Sequence, residues 1–308
     1  MAQKVLVIVG PTAVGKTALS IKLAHEFNGE VISGDSMQVY QGLDIGTAKV
    51  TPTEMDGIPH YLIDILRPDQ QFTVADFVSM SQTKLAEIGA QQKLPLIVGG
   101  TGLYVQALLD NFGLGATAQF TDEQVRADLE AFAAKEGKQA LWDRLAQLDP
   151  QAAQKIPVNN VRRVVRALEV CQVSGQLFSA QADSASGDYD PLIIGLNTER
   201  QVLYQRINQR VDLMVKAGLV DEARQLYQAG GTKLAAGKGI GYKELYPYFA
   251  GTAPLADCVE RIKINSRHYA KRQLTWFRNR MEVNWFDIVS DPDQQEQIKQ
   301  LIASWLVK

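Results

Sequence analysis

The sequence predicts an α/β fold, in which a parallel β-sheet is flanked by helices and interrupted by a helical insertion. Three observations lead to this prediction. Over the first hundred residues, short apolar runs alternate with segments of helical period, which is the pattern of a parallel sheet wrapped by helices. After about Leu114 the alternation stops and mainly polar, helical sequence follows. A later apolar run at 192–196 indicates that the chain then returns to the sheet.

The elements of the first part follow from hydrophobic periodicity. Short, continuous apolar runs predict buried strands at 4–9, 30–33, 61–65 and 95–98. Apolar residues that recur every three to four positions predict helices at 16–27, 73–91 and 102–110. These elements form the first half of the predicted core.

The rest of the chain is mainly helical. Within the insertion, helices are predicted at 121–149 and 160–173, and a Ser-, Gly- and Asp-rich stretch at 174–190 is interpreted as a mobile connection. Beyond the strand at 192–196, helices are predicted at 199–217, 219–229, 255–280 and 292–306, with a last strand at 283–287. The predicted domains are a core of residues 1–113 and 191–308, and a helical insertion of residues 114–190.

Composition restricts the class of protein. The 308 residues are 46% hydrophobic and 21% charged, with a net charge of -2, so a nucleic-acid site would have to be a local basic patch. Two distant cysteines, Cys171 and Cys258, argue against a disulfide framework or a zinc site. No apolar run reaches 18 residues, and the first strand starts by about Lys4, so neither a membrane span nor a signal peptide is expected. We therefore expect a cytoplasmic protein.

A phosphate-binding loop follows the first predicted strand. Residues 10–17 fit the pattern G-x-x-x-x-G-K-[ST] of the P-loop, between an apolar run and a helix. Backbone N–H groups of such a loop, with the positive end of the helix, cradle a di- or triphosphate. Lys16 would reach the outer phosphate and the Thr17 hydroxyl would face Mg2+. The predicted phosphate-binding residues are Gly10, Pro11, Thr12, Ala13, Val14, Gly15, Lys16 and Thr17. The expected core is thus P-loop NTPase-like.

The residues expected of an ATPase or GTPase are missing. The strand at 95–98 runs into Gly99-Gly100-Thr101-Gly102 without a carboxylate, and no Asn-Lys-x-Asp motif occurs. The acid at a neighbouring strand end is Asp35, which is either a group near magnesium, a general base for an acceptor, or a turn residue. Thr101 is expected both to hydrogen-bond a phosphate or reacting group and to cap the helix that follows it.

Basic residues are concentrated on one predicted helix. Seven lysines and arginines and no acids lie between 261 and 280, interleaved with Tyr269, Trp276 and Phe277. This pattern fits a track for nucleic-acid phosphates, although a solvated basic helix is the alternative. A second cluster, Arg162, Arg163 and Arg166, lies in the insertion. Two further arginines, Arg206 and Arg210, share a helix face because they are four residues apart.

Taken together, these motifs resemble those of the bacterial tRNA dimethylallyltransferase family, also called tRNA isopentenyltransferases. The resemblance extends over essentially the whole chain and depends on several motifs in the family's order. These motifs are Gly10–Thr17, Asp35–Tyr40, Gly42–Lys49, Pro59–Asp64, Val98–Tyr104, Arg166–Val170, Gly239–Glu244 and Tyr269–Phe277. Two departures are Val14, where Ser is more usual, and Gln41, where Arg is common.

The resemblance implies a prenyl transfer to tRNA. A dimethylallyl group would move from dimethylallyl diphosphate to N6 of the adenosine 3′-adjacent to the anticodon, with Mg2+ as cofactor and diphosphate as the leaving group. By the same match, Asp35 is the general base and Thr101 contacts the amine or the diphosphate. Lys16 and Arg210, less surely Arg206, would hold the diphosphate. The P-loop would thus stabilise a departing diphosphate, which needs no acid to activate water.

The resemblance also implies a surface for tRNA. The insertion would clamp the anticodon stem, and the enzyme is expected to act as a monomer. The residues predicted to bind tRNA are Asp35, Ser36, Met37, Gln38, Arg162, Arg163, Arg166, Lys238, Lys243, Lys271, Arg272, Trp276 and Arg278.

Three alternatives remain open from the sequence. An isopentenyltransferase acting on free AMP, ADP or ATP would share the P-loop and Asp35 but would need neither the insertion nor a basic helix. A small-molecule P-loop kinase would use ATP, with Arg162–Arg166 imitating its lid. A non-catalytic RNA-binding protein would retain function without Asp35.

Overall fold

Six parallel strands form one sheet in the computed structural model, which describes residues 2–110, 120–180 and 188–308. Neighbouring strands follow the order β3-β2-β4-β1-β5-β6. Their bounds are β1 (Gln3–Val9), β2 (Gly29–Ser33), β3 (His60–Tyr61), β4 (Leu94–Gly99), β5 (Tyr189–Leu196) and β6 (Asn284–Phe286). The predicted α/β class with a parallel sheet flanked by helices is confirmed.

Helices fill most of the remaining described residues. They are α1 (Lys16–Glu26), α2 (Pro52–Met55), α3 (Val74–Ala90), α4 (Gly102–Leu109), α5 (Glu123–Leu148), α6 (Pro150–Lys155), α7 (Val161–Ser174), α8 (Arg200–Lys216), α9 (Leu219–Gln228), α10 (Tyr246–Phe249), α11 (Leu255–Arg280) and α12 (Gln294–Leu306). Within the described ranges, none of these helices has the length and apolar character needed to cross a membrane.

The chain divides into two compact units. The first contains Met1–Leu109 and Gly187–Lys308, and the second contains Asp110–Ser186. In the first unit, β1 is buried on both faces because helices cover both sides of a parallel sheet. Its alternate residues Leu6 and Ile8 belong to a core cluster that also contains Leu23 of α1.

A second core cluster of the first unit lies beneath the segment that follows β2. Val39 and Leu43 of that segment pack in one cluster with Leu219 of α9, Tyr242 and Ile262 of α11. This cluster matters for the site because it packs beneath the turns around residues 37–46 and 239–242.

The second unit is helical in its described part. Helix α5 is interrupted at Gly137, where the backbone leaves helical geometry (φ 91°, ψ 160°). Leu141 and Leu145 from the second half of α5 pack against Val164 and Leu168 of α7. Leu148 at the end of α5 is exposed instead.

The largest differences between predicted and observed boundaries are at three places. The strand expected at 61–65 is limited to His60–Tyr61, because Leu62 (φ 61°) and Asp64 (φ 55°) adopt left-handed backbone conformations that end a strand. Strand β5 begins at Tyr189 rather than 192, where the Asp190 side chain bonds to Lys4 of β1 at 3.0 Å. The connection expected at 174–190 therefore ends earlier, and residues 181–187 of it lie outside the described residues.

Candidate active site

Three loops with candidate functional residues meet at one edge of the sheet. Strands β2, β4 and β1 are neighbours, and their carboxyl ends lead into Asp35, Thr101 and the P-loop, respectively. Backbone hydrogen bonds join the first two loops, from Gly34 N to Val98 O (2.8 Å) and from Thr101 N to Gly34 O (3.2 Å). The carboxyl edge of a parallel sheet is where such folds bind ligands.

Backbone geometry explains the glycines of the P-loop. Gly10 has φ 143°, and a Cβ there would lie 2.3 Å from the carbonyl oxygen of Leu196 at the end of β5. Gly15 is left-handed (φ 95°) immediately before α1 begins. Val14, the departure from the usual Ser, is buried in the core cluster, so this substitution changes packing rather than the phosphate-facing side of the loop.

Lys16 lies in an electrostatically demanding position. Its Nζ donates to the carbonyl oxygens of Gly10 (3.0 Å) and Pro11 (2.6 Å). Burial and, next, the charge of Arg210 lower the pKa of Lys16 to about 8, and Asp35 opposes the shift. An anion bound here would raise this pKa again, because an opposite charge favours the ionised form. The surroundings of Lys16 therefore favour the binding of an anion such as phosphate.

The two arginines of α8 have different surroundings. Arg206 Nε donates to the carbonyl oxygen of Ala13 at 2.7 Å, so this side chain supports the P-loop itself. Arg210 has no ion pair or side-chain hydrogen bond within the described ranges; burial lowers its pKa, while Asp35 and Glu54 oppose that shift. A guanidinium without a fixed partner is the better candidate for holding a diphosphate.

Asp35 is held in a short turn by its own carboxylate. Its Oδ1 accepts from Met37 N at 2.8 Å, and Ser36 N donates to Thr101 Oγ1 at 3.1 Å. The Thr101 hydroxyl therefore bonds to the turn that contains Asp35. It does not cap α4, contrary to the prediction from the sequence. Tyr269 lines the same space, and burial followed by the charge of Asp35 raises the pKa of its hydroxyl to about 12.

A cavity of about 1170 Å3 connects these groups. Its phosphate wall consists of P-loop residues together with Arg206 and Arg210 of α8. Its opposite wall consists of residues 44–46 and 238–242. Asp35 and Tyr269 line the space between, and Ser36, Met37, Gln38 and Arg272 also line it. The volume is suitable for a small ligand and a part of a second substrate.

Gln38, a predicted tRNA contact, is already bonded within the protein. Its Oε1 accepts from Ser33 Oγ (3.0 Å), and its Nε2 donates to the carbonyl oxygens of Thr47 (3.3 Å) and Ala48 (3.4 Å). These bonds fix the orientation of the side chain-amide, which a residue that recognises a base requires.

The basic helix α11 contains two kinds of cation. Lys263 pairs with Asp212 (2.7 Å), and Arg267 bonds to Asn208 (2.7 Å), so these two charges serve packing against α8. The other five are exposed: Arg261, Lys271, Arg272, Arg278 and Arg280. Three of the five lie over aromatic rings, with Arg272 over Tyr269 (5.7 Å), Arg278 over Trp285 (5.5 Å) and Arg280 over Trp276 (4.7 Å).

Two residues of α11 attach this helix to the loop after β4. Gln273 Nε2 donates to Gly100 O at 2.9 Å. The Trp276 ring lies against Gly102, where a Cβ would approach its Cδ1 to 2.4 Å. Trp276, predicted to contact tRNA, thus has a packing role in the structure.

In the second unit, the three predicted cations also differ. Arg162 and Arg163 are exposed on α7. Arg166 instead bonds to Glu169 (2.7 Å) and to the carbonyl oxygen of Phe120 (3.0 Å). Glu169 is completely buried and also accepts from Arg126, so Arg166 compensates a buried charge. Lys238 and Lys243 of the first unit, also predicted to contact tRNA, are exposed.

Sequence reasoning missed Glu222 and did not assign Tyr269. Tyr269 belongs to a motif of the resemblance, so its role had a visible signal. Glu222 had none, because it is an acid in the first turn of a helix and no motif surrounds it. In the structure its carboxylate accepts hydrogen bonds from three successive backbone amides of the opposite wall.

The donor set for a metal ion is sparse. Among the described residues, no group of three His, Cys, Asp or Glu side chains could hold one. The exposed Thr17 hydroxyl at the start of α1 is the P-loop group with suitable chemistry, and Mg2+ commonly takes its remaining ligands from substrate phosphates and water. The residues present therefore fit a magnesium ion that arrives with a diphosphate.

Comparison with known proteins gives consistent matches over the full chain. The family described as IPP transferase matches residues 38–280. A tRNA dimethylallyltransferase of Ligilactobacillus salivarius is 56% identical, with 99% of this chain and 100% of that protein covered. A tRNA dimethylallyltransferase of Enterococcus faecalis is 52% identical, with 99% and 98% covered.

Solved structures agree with these relatives. A tRNA isopentenylpyrophosphate transferase of Bacillus halodurans is 50% identical, with a TM-score of 0.74, and 99% of this chain and 97% of that one are covered. A eukaryotic dimethylallyltransferase acting on tRNA is 31% identical, with a TM-score of 0.81, and 97% and 78% are covered. With a family match over more than half of the chain and relatives above 50% identity throughout, this chain belongs to the IPP transferase family.

Proposed function

We propose that the protein transfers a dimethylallyl group from dimethylallyl diphosphate to N6 of the adenosine 3′-adjacent to the anticodon of tRNA. The observation that carries this proposal is the common cavity of Lys16, Arg210 and Asp35 at the carboxyl edge of the sheet. The cavity combines a place for a diphosphate with a carboxylate, and the residues that activate water in ATPases and GTPases are missing from the sequence motifs around it. Relatives that cover the whole chain are named for this activity.

The phosphate wall would bind the donor and stabilise the leaving group. P-loop amides, the N-terminus of α1, Lys16 and Arg210 would surround the position where negative charge develops on the departing diphosphate, which their place in the cavity lining supports. Thr17 would hold Mg2+, which would supply further stabilisation of the negative charge there. The pKa of Lys16 is lowered in the free protein, so an anionic ligand would stabilise the charged form of this lysine.

Asp35 would act as the general base. The bond from N6 to C1 of the prenyl group forms, the bond from C1 to the diphosphate oxygen breaks, and the N6 proton passes to the Asp35 carboxylate. Oδ1 of Asp35 is occupied by the Met37 amide, which orients the carboxylate and leaves Oδ2 for the proton. Thr101, bonded to Ser36, would fix this turn beside the reacting amine.

The acceptor would enter between Asp35 and helix α11. A base in an anticodon loop loses less stacking than one in a duplex when it leaves its stack. Ser36, Met37 and Gln38 would contact the loop nucleotides, and the exposed cations of α11 would contact phosphates. On the second unit, Arg162 and Arg163 would also contact tRNA phosphates. Arg166 is paired with Glu169 and would instead stabilise α7.

A transfer assay with competing acceptors tests the proposal. Purified protein, Mg2+ and dimethylallyl diphosphate labelled in the prenyl group would be incubated separately with unmodified tRNA and with AMP. We expect label in tRNA and none in AMP. Label in AMP alone would contradict the proposal and favour the cytokinin-type alternative, and consumption of ATP without prenyl transfer would favour a kinase.

Two further expectations depend on this proposal. A tRNA-modifying enzyme acts in the compartment that contains its tRNA substrate, so we propose a cytoplasmic location. One chain contains all the residues named for both substrates, so we also keep the monomer as the proposed state; size-exclusion chromatography with light scattering tests it.

A further inference from the structure

Glu222 occupies a cluster of backbone amides on the opposite wall of the cavity. Its Oε2 accepts from the amides of Asp44 (2.8 Å) and Ile45 (2.9 Å), and its Oε1 accepts from the amide of Gly46 (2.9 Å). The Tyr242 hydroxyl also donates to Oε1, at 2.7 Å. One carboxylate from helix α9 therefore receives four hydrogen bonds from two turns that are almost 200 residues apart in the chain.

Close packing accompanies these bonds. A Cβ at Gly46 would lie 2.5 Å from the ring of Tyr242, so the two turns touch directly beside the carboxylate. Tyr242 is completely buried, and burial followed by the charge of Glu222 raises its pKa, which keeps the phenol as a donor. Charge-assisted hydrogen bonds to backbone amides are stronger than neutral ones, so Glu222 fixes both turns.

Both turns contact the segment that is predicted to bind the acceptor base. On one side, the anchored turn continues into Thr47 and Ala48, whose carbonyl oxygens accept from Gln38 Nε2. On the other side, a Cβ at Gly239 would lie 2.6 Å from Cε of Met37, so this side chain lies directly on the 239–242 turn. The two turns that Glu222 holds therefore support Met37 and Gln38.

We propose that Glu222 is a positioning residue for the acceptor: it holds the two turns that orient Met37 and Gln38, and it does not touch the donor diphosphate. This inference rests on the proposed transfer to tRNA. The hydrogen bonds of Glu222 go to these two turns, and the phosphate wall is built from other segments. A positioning role therefore affects one substrate, whereas a purely structural role would affect both. Loss of Glu222 then weakens the use of tRNA and leaves the use of dimethylallyl diphosphate nearly unchanged.

Steady-state transfer by Glu222→Gln, with each substrate varied at saturation of the other, tests the inference. Gln has the same length, but its amide N–H2 group must face donors that the carboxylate accepts from. We expect the KM for tRNA to rise about tenfold and the KM for dimethylallyl diphosphate to stay within about twofold. Asp221→Asn is the matched control, because Asp221 is an exposed acid in the same first turn of α9; it should behave as wild type.

A second variant keeps the test decisive if Glu222→Gln folds poorly. Tyr242→Phe removes one hydrogen bond to the carboxylate and keeps the ring against Gly46, and we expect its KM for tRNA to rise about threefold. Filter binding of tRNA without donor should show the same order: wild type and Asp221→Asn, then Tyr242→Phe, then Glu222→Gln.

Other outcomes overturn the inference. Equal rises in both KM values would show a general structural role, and unchanged kinetics in folded Glu222→Gln and Tyr242→Phe would show that these turns do not act on the acceptor. If the wild-type protein itself transferred no prenyl group to tRNA, the proposed function would fail, which is a different result from a variant that matches an active wild type.

Discussion

The two walls of the cavity use backbone amides in opposite ways. On the phosphate wall, the P-loop points its amides at a place for a ligand, and no carboxylate in the described part of the chain accepts from them. On the opposite wall, the amides of Asp44, Ile45 and Gly46 are occupied by Glu222. The first cluster is therefore available to a substrate anion, whereas the second is already closed by an anion of the protein itself.

This difference shows why one wall is readable from sequence and the other is not. The P-loop carries its amides and the Gly-Lys-Thr of its pattern on one short segment, so Gly10–Thr17 is a recognisable motif. The amides of residues 44–46 are also contiguous, but the carboxylate that they bind, Glu222, lies far away in the chain. A cluster that binds an internal carboxylate needs a partner from anywhere in the chain. The comparison also predicts separable effects: changes on the phosphate wall should affect the donor, and changes near Asp35 should affect the chemical step.

The largest expected effect is on turnover. Asp35→Asn keeps an oxygen that can accept from the Met37 amide, so the turn is retained while the base is lost. We expect the single-turnover rate to fall about a thousandfold, within the usual contribution of a general base. Affinity for tRNA should change by only a few-fold. A large loss of tRNA affinity with a normal rate would contradict the assignment of the base.

The next effect concerns the donor. Lys16→Ala removes a cation of the phosphate wall, so kcat/KM for dimethylallyl diphosphate should fall about a hundredfold or more. Binding of tRNA, measured separately, should be nearly unchanged. Equal losses for both substrates would mean that the two walls are not independent.

A smaller effect should separate the two arginines of α8. Arg210→Ala should lower kcat/KM for dimethylallyl diphosphate about thirtyfold, because it removes a charge-assisted contact. Arg206→Ala should cost about threefold, since its bond to Ala13 supports the loop indirectly. The reverse order would show that Arg206 holds the diphosphate.

The smallest effects are expected on α11. Lys271→Ala or Arg278→Ala should weaken tRNA binding a few-fold and reduce the slope of log K against log salt by about one each. Lys263→Ala is the control, because Lys263 is paired with Asp212 and should leave the slope unchanged. Equal slopes for all three variants would refute the division between packing and phosphate-binding cations.

Much of the fold and the centre of the site followed from local patterns. Apolar runs located most strands within three residues, and their order along the chain predicted a parallel sheet. The adjacency of Asp35, Thr101 and the P-loop then follows from strand ends that share one edge. These predictions succeeded because each depends on a short contiguous segment.

Features that depend on distant partners were not predictable in the same way. The short β3 results from left-handed residues stabilised by the ion pair of Lys49 with Asp64. Arg166 is equivalent to Arg162 in the sequence, but only Arg166 faces the buried Glu169. The role of Glu222 likewise depends on two turns that meet only in the folded chain.

Identification of the modified nucleoside tests the central claim most directly. Unmodified tRNA would be incubated with wild-type protein, Mg2+ and dimethylallyl diphosphate, digested, and its nucleosides and fragments analysed by mass spectrometry, with Asp35→Asn in parallel. We predict N6-dimethylallyladenosine in the fragment 3′-adjacent to the anticodon from the wild type, and almost none from the variant. A prenyl group on another nucleoside, or an equal yield from both proteins, would contradict the account.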